Sequence, residues 1–437
     1  MRFAFVLALV LGASVAACSG DVGSSDDAIT DGRILVHFGN PGAAINKWGY
    51  DVKQDGRSAA LKPALAAELF QQTGFNLLRV AVRAAEGHPS AGVGQIKDAA
   101  YADDLEAIAH AKAASPTVDV FASLKLVPNA PSFPGWVKSG GDVDAPRYAV
   151  LLENYLEYMH DHGVTIDWLG VDNERLWNEG NITAAKYNTI ASSVKAWCKG
   201  HGLAVPGFIA AEDYGAKQDI AWLDALWGTN PRFDHVDHVG VHVYSKHRDE
   251  AGYVESLHAL GDHDHGKGLW DSELHWNDLQ EDGDVQFDDI QRGMLTLMDH
   301  FDSGFHAMTW WAFQPQSNGT KAGHVMSEVV RSTLGAQPLP TDDGDGKTLG
   351  GGKLNSRALK NGPSQVTLWV ANQDGKHKDQ WTEIESEKIA SASYVQWSAT
   401  GPAAGTTGNA TIVPKHHACF SMTYPAHTIT RVTVTLK

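Results

Sequence analysis

Ile166-Asp167-Trp168-Leu169-Gly170-Val171-Asp172-Asn173-Glu174 is a short apolar run that closes on a carboxylate, and Gly268-Leu269-Trp270-Asp271-Ser272-Glu273 repeats the pattern further along the chain. An apolar strand ending on an ionisable residue places that residue at the strand's C-terminal edge, where α/β barrels carry their chemistry. One such glutamate is an ordinary surface residue. Two facing a single cleft are the minimum equipment for cleaving a glycosidic bond.

Working outward, residues 45 to 340 alternate short apolar runs with amphipathic segments, the rhythm of a parallel sheet wrapped by helices. Strands are expected at 47–51, 76–82, 119–124, 168–173, 207–211, 238–244, 268–273 and 306–311. Helical spacing occupies 59–72, 100–113, 148–160, 184–199, 219–227, 253–260, 287–300 and 325–334. Eight alternations are the count for a closed (β/α)8 barrel. An open doubly wound sheet doing nucleotide work would need a glycine-rich phosphate turn after its first strand, and the sequence has none there. Asp, Gly and Pro crowd the stretch from Pro338 to Gly352. Beyond it, 365–371, 394–399, 410–413, 418–424 and 428–436 alternate with period two, which predicts a C-terminal antiparallel β-sandwich. The expected division is therefore 33–44 as an N-terminal strand joining the sandwich, 45–340 as the barrel, 341–352 as a linker and 353–437 as the sandwich.

The first residues read as an export signal. Met1-Arg2 gives the positive start, and Phe3 to Val10 is apolar but too short for a stable membrane anchor. Val15-Ala16-Ala17-Cys18 resembles a bacterial lipobox, which implies a signal over 1–17, lipidation at Cys18 and anchoring at an outer membrane, with plain secretion as the alternative. The Ser, Gly and Asp of the stretch that follows, 18–32, suit a flexible tether. Cys198 and Cys419 are either bridged or two buried thiols. A net charge of −17 disfavours nucleic acid as a partner. It suits a neutral ligand, and the 14 tryptophans offer flat surfaces for sugar rings. Nothing bears on oligomeric state, and a monomer is the default.

Asn173-Glu174 on the fourth strand and Glu273 on the seventh resemble the pattern of clan A, the large glycosidase clan of (β/α)8 barrels. More closely, the chain resembles glycoside hydrolase family 30. Trp48-Gly49-Tyr50, Gly74-Phe75-Asn76-Leu77-Leu78-Arg79, Ala122-Ser123, Pro134-Gly135-Trp136-Val137-Lys138 and the tail Thr423-Tyr424-Pro425-Ala426-His427-Thr428 carry that likeness. It implies Glu174 as acid/base and Glu273 as nucleophile of a retaining β-glycosidase, with no metal or organic cofactor. Asn173 would grip the sugar's 2-hydroxyl, Tyr244 would donate to Glu273, and Trp311 with Trp310 would floor the sugar site. β-1,4-xylan and β-1,6-linked glucan or galactan are the implied substrates to try first.

Several readings come from the residues themselves. Arg79 ends its strand as a positive charge able to hold Glu273 ionised. His242 shares a strand face with Tyr244 and is expected to line the cleft. Trp136, Trp177 and Trp276 fall in loops at the cleft end, where aromatics suit sugar subsites. The chain departs from the family at Asp172 and Arg175, which flank the Asn-Glu pair in place of Gln and Pro, and at Lys125, where Pro-Trp-Ser is usual. Arg175 would depress the Glu174 pKa unless its side chain turns away. These departures motivate two alternatives: a carbohydrate-binding lipoprotein that has lost catalysis, and a transglycosylase. His263-Asp264-His265 reads as a surface loop rather than a metal tract. Asp342-Asp343-Gly344-Asp345-Gly346 fails as an EF-hand, because the twelfth position from Asp343 is Leu354.

Overall fold

A computed structural model of the chain describes residues 33–54, 56–125, 131–175, 182–229, 234–276, 285–311, 313–342, 354–414 and 416–437. Cys18, Trp177, the signal and tether stretches and the Asp-Gly segment after Asp342 lie outside the described residues. None of the described helices is long and apolar enough to cross a membrane.

Eight parallel strands close into a barrel: Lys47–Asp51, Leu77–Val82, Asp119–Leu124, Trp168–Gly170, Gly207–Tyr214, His238–His242, Leu269–Leu274 and Phe305–Trp310. Each pairs with its sequence neighbours, and the eighth returns to the first through Trp310 opposite Tyr50. Strand residues two apart share a face, so one interior layer is apolar and the next polar. Leu77, Phe121, Ile209, Trp270 and Ala307 cluster at one level. Two residues on, Leu77 gives way to Arg79 and Phe121 to Ser123, and the polar layer begins.

The helices ringing the barrel include Ala102–Ala114, Ala145–Asp161, Ala184–His201, Phe287–Asp302 and Lys321–Thr333. Asp144, Thr183 and Thr320 cap three helices, each accepting a backbone N–H of the first turn. The helix expected over 59–72 is instead broken into Arg57–Ala60, Pro63–Ala66 and a π-helical turn at Ala67–Thr73. Pro63 has no N–H to continue the first piece and opens the second.

The sandwich has one sheet of five strands and one of six. Ile34–Val36 joins the five-stranded sheet, pairing in parallel with Thr382, Glu383 and Ile384, the exception among the described, otherwise antiparallel strands of the domain. Leu354–Lys360 and Lys378–Ile384 are strands that period-two reading did not pick out. The barrel core runs on into the sandwich through Trp369 and Trp397, which stack 6.0 Å apart. Arg357 with Asp302 and Arg431 with Glu328 close the junction. Cys198 is a buried free thiol and is not bridged to Cys419, which is itself disulfide-bonded, so neither pairing expected from the sequence is met.

Candidate active site

The polar layer at the C-terminal end of the barrel is organised by Arg79. Its fully buried guanidinium donates from Nη1 to Asp51 Oδ2 at 2.9 Å and Glu273 Oε2 at 2.6 Å. Nη2 donates to Asn173 Oδ1 at 3.0 Å and Glu212 Oε1 at 3.2 Å, and Nε donates to Ser123 Oγ at 3.0 Å. Burial works against the charge, but Asp51, Glu273 and Glu212 together raise its pKa further. Five strands thus meet on one side chain.

Glu273 is 4 % exposed at the end of the seventh strand. Lys53 Nζ donates to its Oε2 at 3.0 Å, and the Tyr244 hydroxyl donates to Oε1 at 2.5 Å. Burial alone would raise the pKa of this carboxyl. Lys53, the neighbouring His242 ring, Arg79 and the Tyr244 hydroxyl together outweigh it and hold the group well below the ordinary glutamate range. Both oxygens are therefore held while the carboxylate stays ionised.

Glu174 follows the fourth strand with φ +52°, in the left-handed region. Its N–H donates to the Glu212 carbonyl at 2.9 Å. That carbonyl is presented by an irregularity in the fifth strand, where Ala211 and Glu212 have φ of 79° and 55° and the register with the sixth strand shifts. Such conformations cost about 1–3 kcal/mol each and persist where their surroundings impose them. His242 Nδ1 lies 3.0 Å from Glu174 Oε1, and its Nε2 lies 3.4 Å from Arg79 Nη2. Both contacts are satisfied when Nδ1 carries the proton and Nε2 accepts.

The structure brings Glu174, Glu273, Asn173, Arg79, Tyr244 and His242 together. A carboxylate oxygen of Glu174, one of Glu273 and a ring nitrogen of His242 lie within 4.8 Å of one another. By position this trio could ligate a metal. Lys53, Arg79 and Tyr244 already occupy the oxygens of Glu273, however, so a cation would have to displace them. Trp311 stacks on Tyr244 with ring centroids 5.8 Å apart and planes 5° from parallel, beside the hydroxyl that holds Glu273.

Trp310 and Trp276, expected at the sugar site, are core residues instead. Trp310 lies parallel to Trp48 and against Trp276 inside the hydrophobic core, and Trp276 packs over Gly293, where a Cβ would overlap its ring. Neither reaches the cleft. Arg175 turns away from Glu174: it pairs with Asp213 at 2.5 Å and lies over Trp222. Trp136 is half-buried, its Nε1 donating to the His88 carbonyl. His263 meets Asp224 and Asp264 accepts from Gly266 and Gly268, which ties that loop down.

Sequence reading missed Lys53, Asp51 and Glu212. Lys53 is buried and bonds both Asn173 Oδ1 and Glu273. Asp51 takes the Lys53 N–H at 2.6 Å as well as Arg79. Glu212 is fully buried, and burial pushes its pKa up against the pull of Arg79. Asp51, Glu212 and Glu273 thus share this layer with Arg79 and Lys53.

Comparison with solved structures places the whole described architecture. The family 30 subfamily 8 xylanase Xyn30A from Clostridium acetobutylicum superposes with a TM-score of 0.70 at 18 % identity, over 92 % of this chain and 99 % of that one. An endoxylanase of family 30 from Clostridium papyrosolvens gives 0.68 at 18 %, over 92 % and 100 %. An endo-β-1,6-glucanase gives 0.61 at 11 %, over 92 % and 94 %. The chain has the fold of these glycosidases. No protein-family model and no curated protein sequence matches it.

Proposed function

We propose that the protein is a retaining β-glycosidase in which Glu273 is the nucleophile and Glu174 the general acid/base. One observation carries this reading: the two carboxylates approach within 4.8 Å, and one of them is held ionised by Lys53, Arg79 and Tyr244. Retaining enzymes set their carboxyls about 5–5.5 Å apart, whereas inverting enzymes leave room for a water at about 6.5–9.5 Å. Glu273 would attack the anomeric carbon while Glu174 gives its proton to the departing glycosidic oxygen. Water, deprotonated by Glu174, would then release the sugar from Glu273. Trp311 beside Tyr244 would supply the stacking wall, and Asn173, held by Arg79 and Lys53, would present its amide to the 2-hydroxyl.

β-1,4-xylan and β-1,6-linked glucan or galactan are the first substrates to try; the xylanase and β-1,6-glucanase activities named for structural neighbours support xylan and β-1,6-glucan, and galactan rests on the sequence resemblance alone. We further propose export with lipid anchoring at Cys18, on the lipobox-like sequence. Lipidation consumes the Cys18 sulfur as a thioether, whereas a disulfide to Cys419 would consume it instead. Intact mass of the unreduced mature protein decides between these fates, and unchanged membrane association in Cys18→Ser would rule the anchor out.

The test of the reaction is a panel of 2-deoxy-2-fluoro glycosides bearing good leaving groups, followed by peptide mapping. A covalent sugar on Glu273 is expected. A label on another residue, or turnover with inverted stereochemistry, would overturn the assignment.

A further inference from the structure

The outer face of the five-stranded sandwich sheet carries Trp381 at the middle of Lys378–Ile384. Its register partner is Ser421, whose own partner on the edge strand is Thr411. One pair along, Asp379 faces Thr423, whose hydroxyl donates to the Asp379 carboxylate. Alternation explains the row: Phe420 and Tyr424 point into the sandwich core, so Ser421 and Thr423 point out.

The chain crosses between the two sheets at Ala410, and the crossing brings a second wall. Tyr394 lies over Gly408, where a Cβ would fall 2.5 Å from its ring, and Asn409 follows at the rim. Together these residues line a groove of about 440 Å³.

Trp381 is half-buried and belongs to no hydrophobic cluster among the described residues, its ring neighbour being His416 at 6.3 Å. It therefore does little for the core, while a large ring among hydroxyls leaves apolar surface exposed to water. Among the described residues no cation lines the groove, and the one charged lining residue, Asp379, is tied to Thr423. That chemistry disfavours phosphate and uronate. It matches a neutral sugar chain, whose C–H faces lie on aromatic rings and whose hydroxyls meet amides and alcohols.

We propose that this groove is a second carbohydrate-binding site, holding a neutral segment of glycan through Trp381 and Tyr394. It stands on the groove's own residues and does not need the barrel to be catalytic.

The test is native affinity electrophoresis of the full-length protein carrying Glu273→Gln, in gels of soluble β-1,4-xylan, β-1,6-glucan, β-1,3-glucan and β-1,4-galactan. Retardation is expected in at least one polymer. Adding Trp381→Ala should weaken apparent binding about fivefold or more, and Asn409→Ala, at an exposed position, about twofold to threefold. In the otherwise native protein, Trp381→Ala should leave any turnover of a small aryl glycoside within about twofold, since the ring is remote from the barrel layer. No retardation in any of the four polymers overturns the site, as does retardation unchanged by both substitutions. Trp381-dependent binding without hydrolysis of any polymer would keep this site while sinking the glycosidase reading. Hydrolysis without such binding would do the reverse.

Discussion

Lys53 and Arg79 share one oxygen of Glu273, Nζ at 3.0 Å and Nη1 at 2.6 Å from Oε2. Arg79 is committed to three carboxylates and cannot follow the nucleophile through a reaction. Lys53 reaches it from the loop after the first strand and bonds Asn173 as well, so it links the nucleophile to the residue beside the acid/base.

Lys53→Met should therefore raise the Glu273 pKa. A carboxyl held below its unfolded value contributes stability that is full above an ordinary glutamate pKa of about 4.3 and is lost as pH falls through the folded value. The acidic limb of kcat/KM follows the same group, so in Lys53→Met it should move to higher pH by about one unit, equivalent to about 1.4 kcal/mol. A pH profile on an aryl glycoside checks this. An unmoved limb would mean that Arg79 and Tyr244 suffice.

Gly170 and Gly240 flank Glu212 on the neighbouring strands, and their missing side chains make its room. A Cβ on Gly170 would overlap the Glu212 carboxyl and come 2.9 Å from the Ser123 Cβ. Gly170→Ala should cost at least about 2 kcal/mol by overpacking. Combined with Glu212→Ala, it should recover about 1 kcal/mol or more relative to additivity. Denaturant titration of the four proteins of the cycle measures this. Strict additivity would show that Gly170 serves Ser123 rather than Glu212.

The site was partly legible because its rule is local: an apolar strand that ends on an acid. Phe208-Ile209-Ala210-Ala211-Glu212 obeys the same rule, yet the expected strand stopped at Ala211, whereas the strand runs on to Tyr214. Two consecutive residues with positive φ there turn Glu212 beneath the cleft, and period-two reading cannot see such a bulge. Lys53 and Asp51 were missed for another reason, since a strand's end and the loop beyond it have no periodicity to mark them. The tryptophans failed on register. Trp310 and Trp311 are adjacent and so face opposite ways, and nothing in the sequence says which face is the cleft.

Cys198 should be silent in the native protein. It lies in the helix Ala184–His201, and burial, with Glu153 adding, pushes its thiol up to about 11. At pH 8 a disulfide reagent should not react with it until denaturant is added, since the thiolate is the reactive form. Release of a full equivalent of chromophore from the folded protein would place Cys198 at the surface instead.

Trp311→Ala and Trp310→Ala should separate function from stability across one peptide bond. Trp311 touches Tyr244 and His275 at the cleft. Its loss removes a stacking wall and frees the ring whose hydroxyl holds Glu273, so kcat/KM should fall about a hundredfold, equivalent to about 2.7 kcal/mol, with little change in Tm. Trp310 instead sits among Trp48, Trp276 and Phe313. Truncating it opens a cavity worth about 3–5 kcal/mol of unfolding free energy, while the kcat/KM of the protein that remains folded should stay within about threefold. Thermal melts beside steady-state kinetics decide the matter, and a loss of activity in Trp310→Ala equal to that in Trp311→Ala would put both rings in the sugar site.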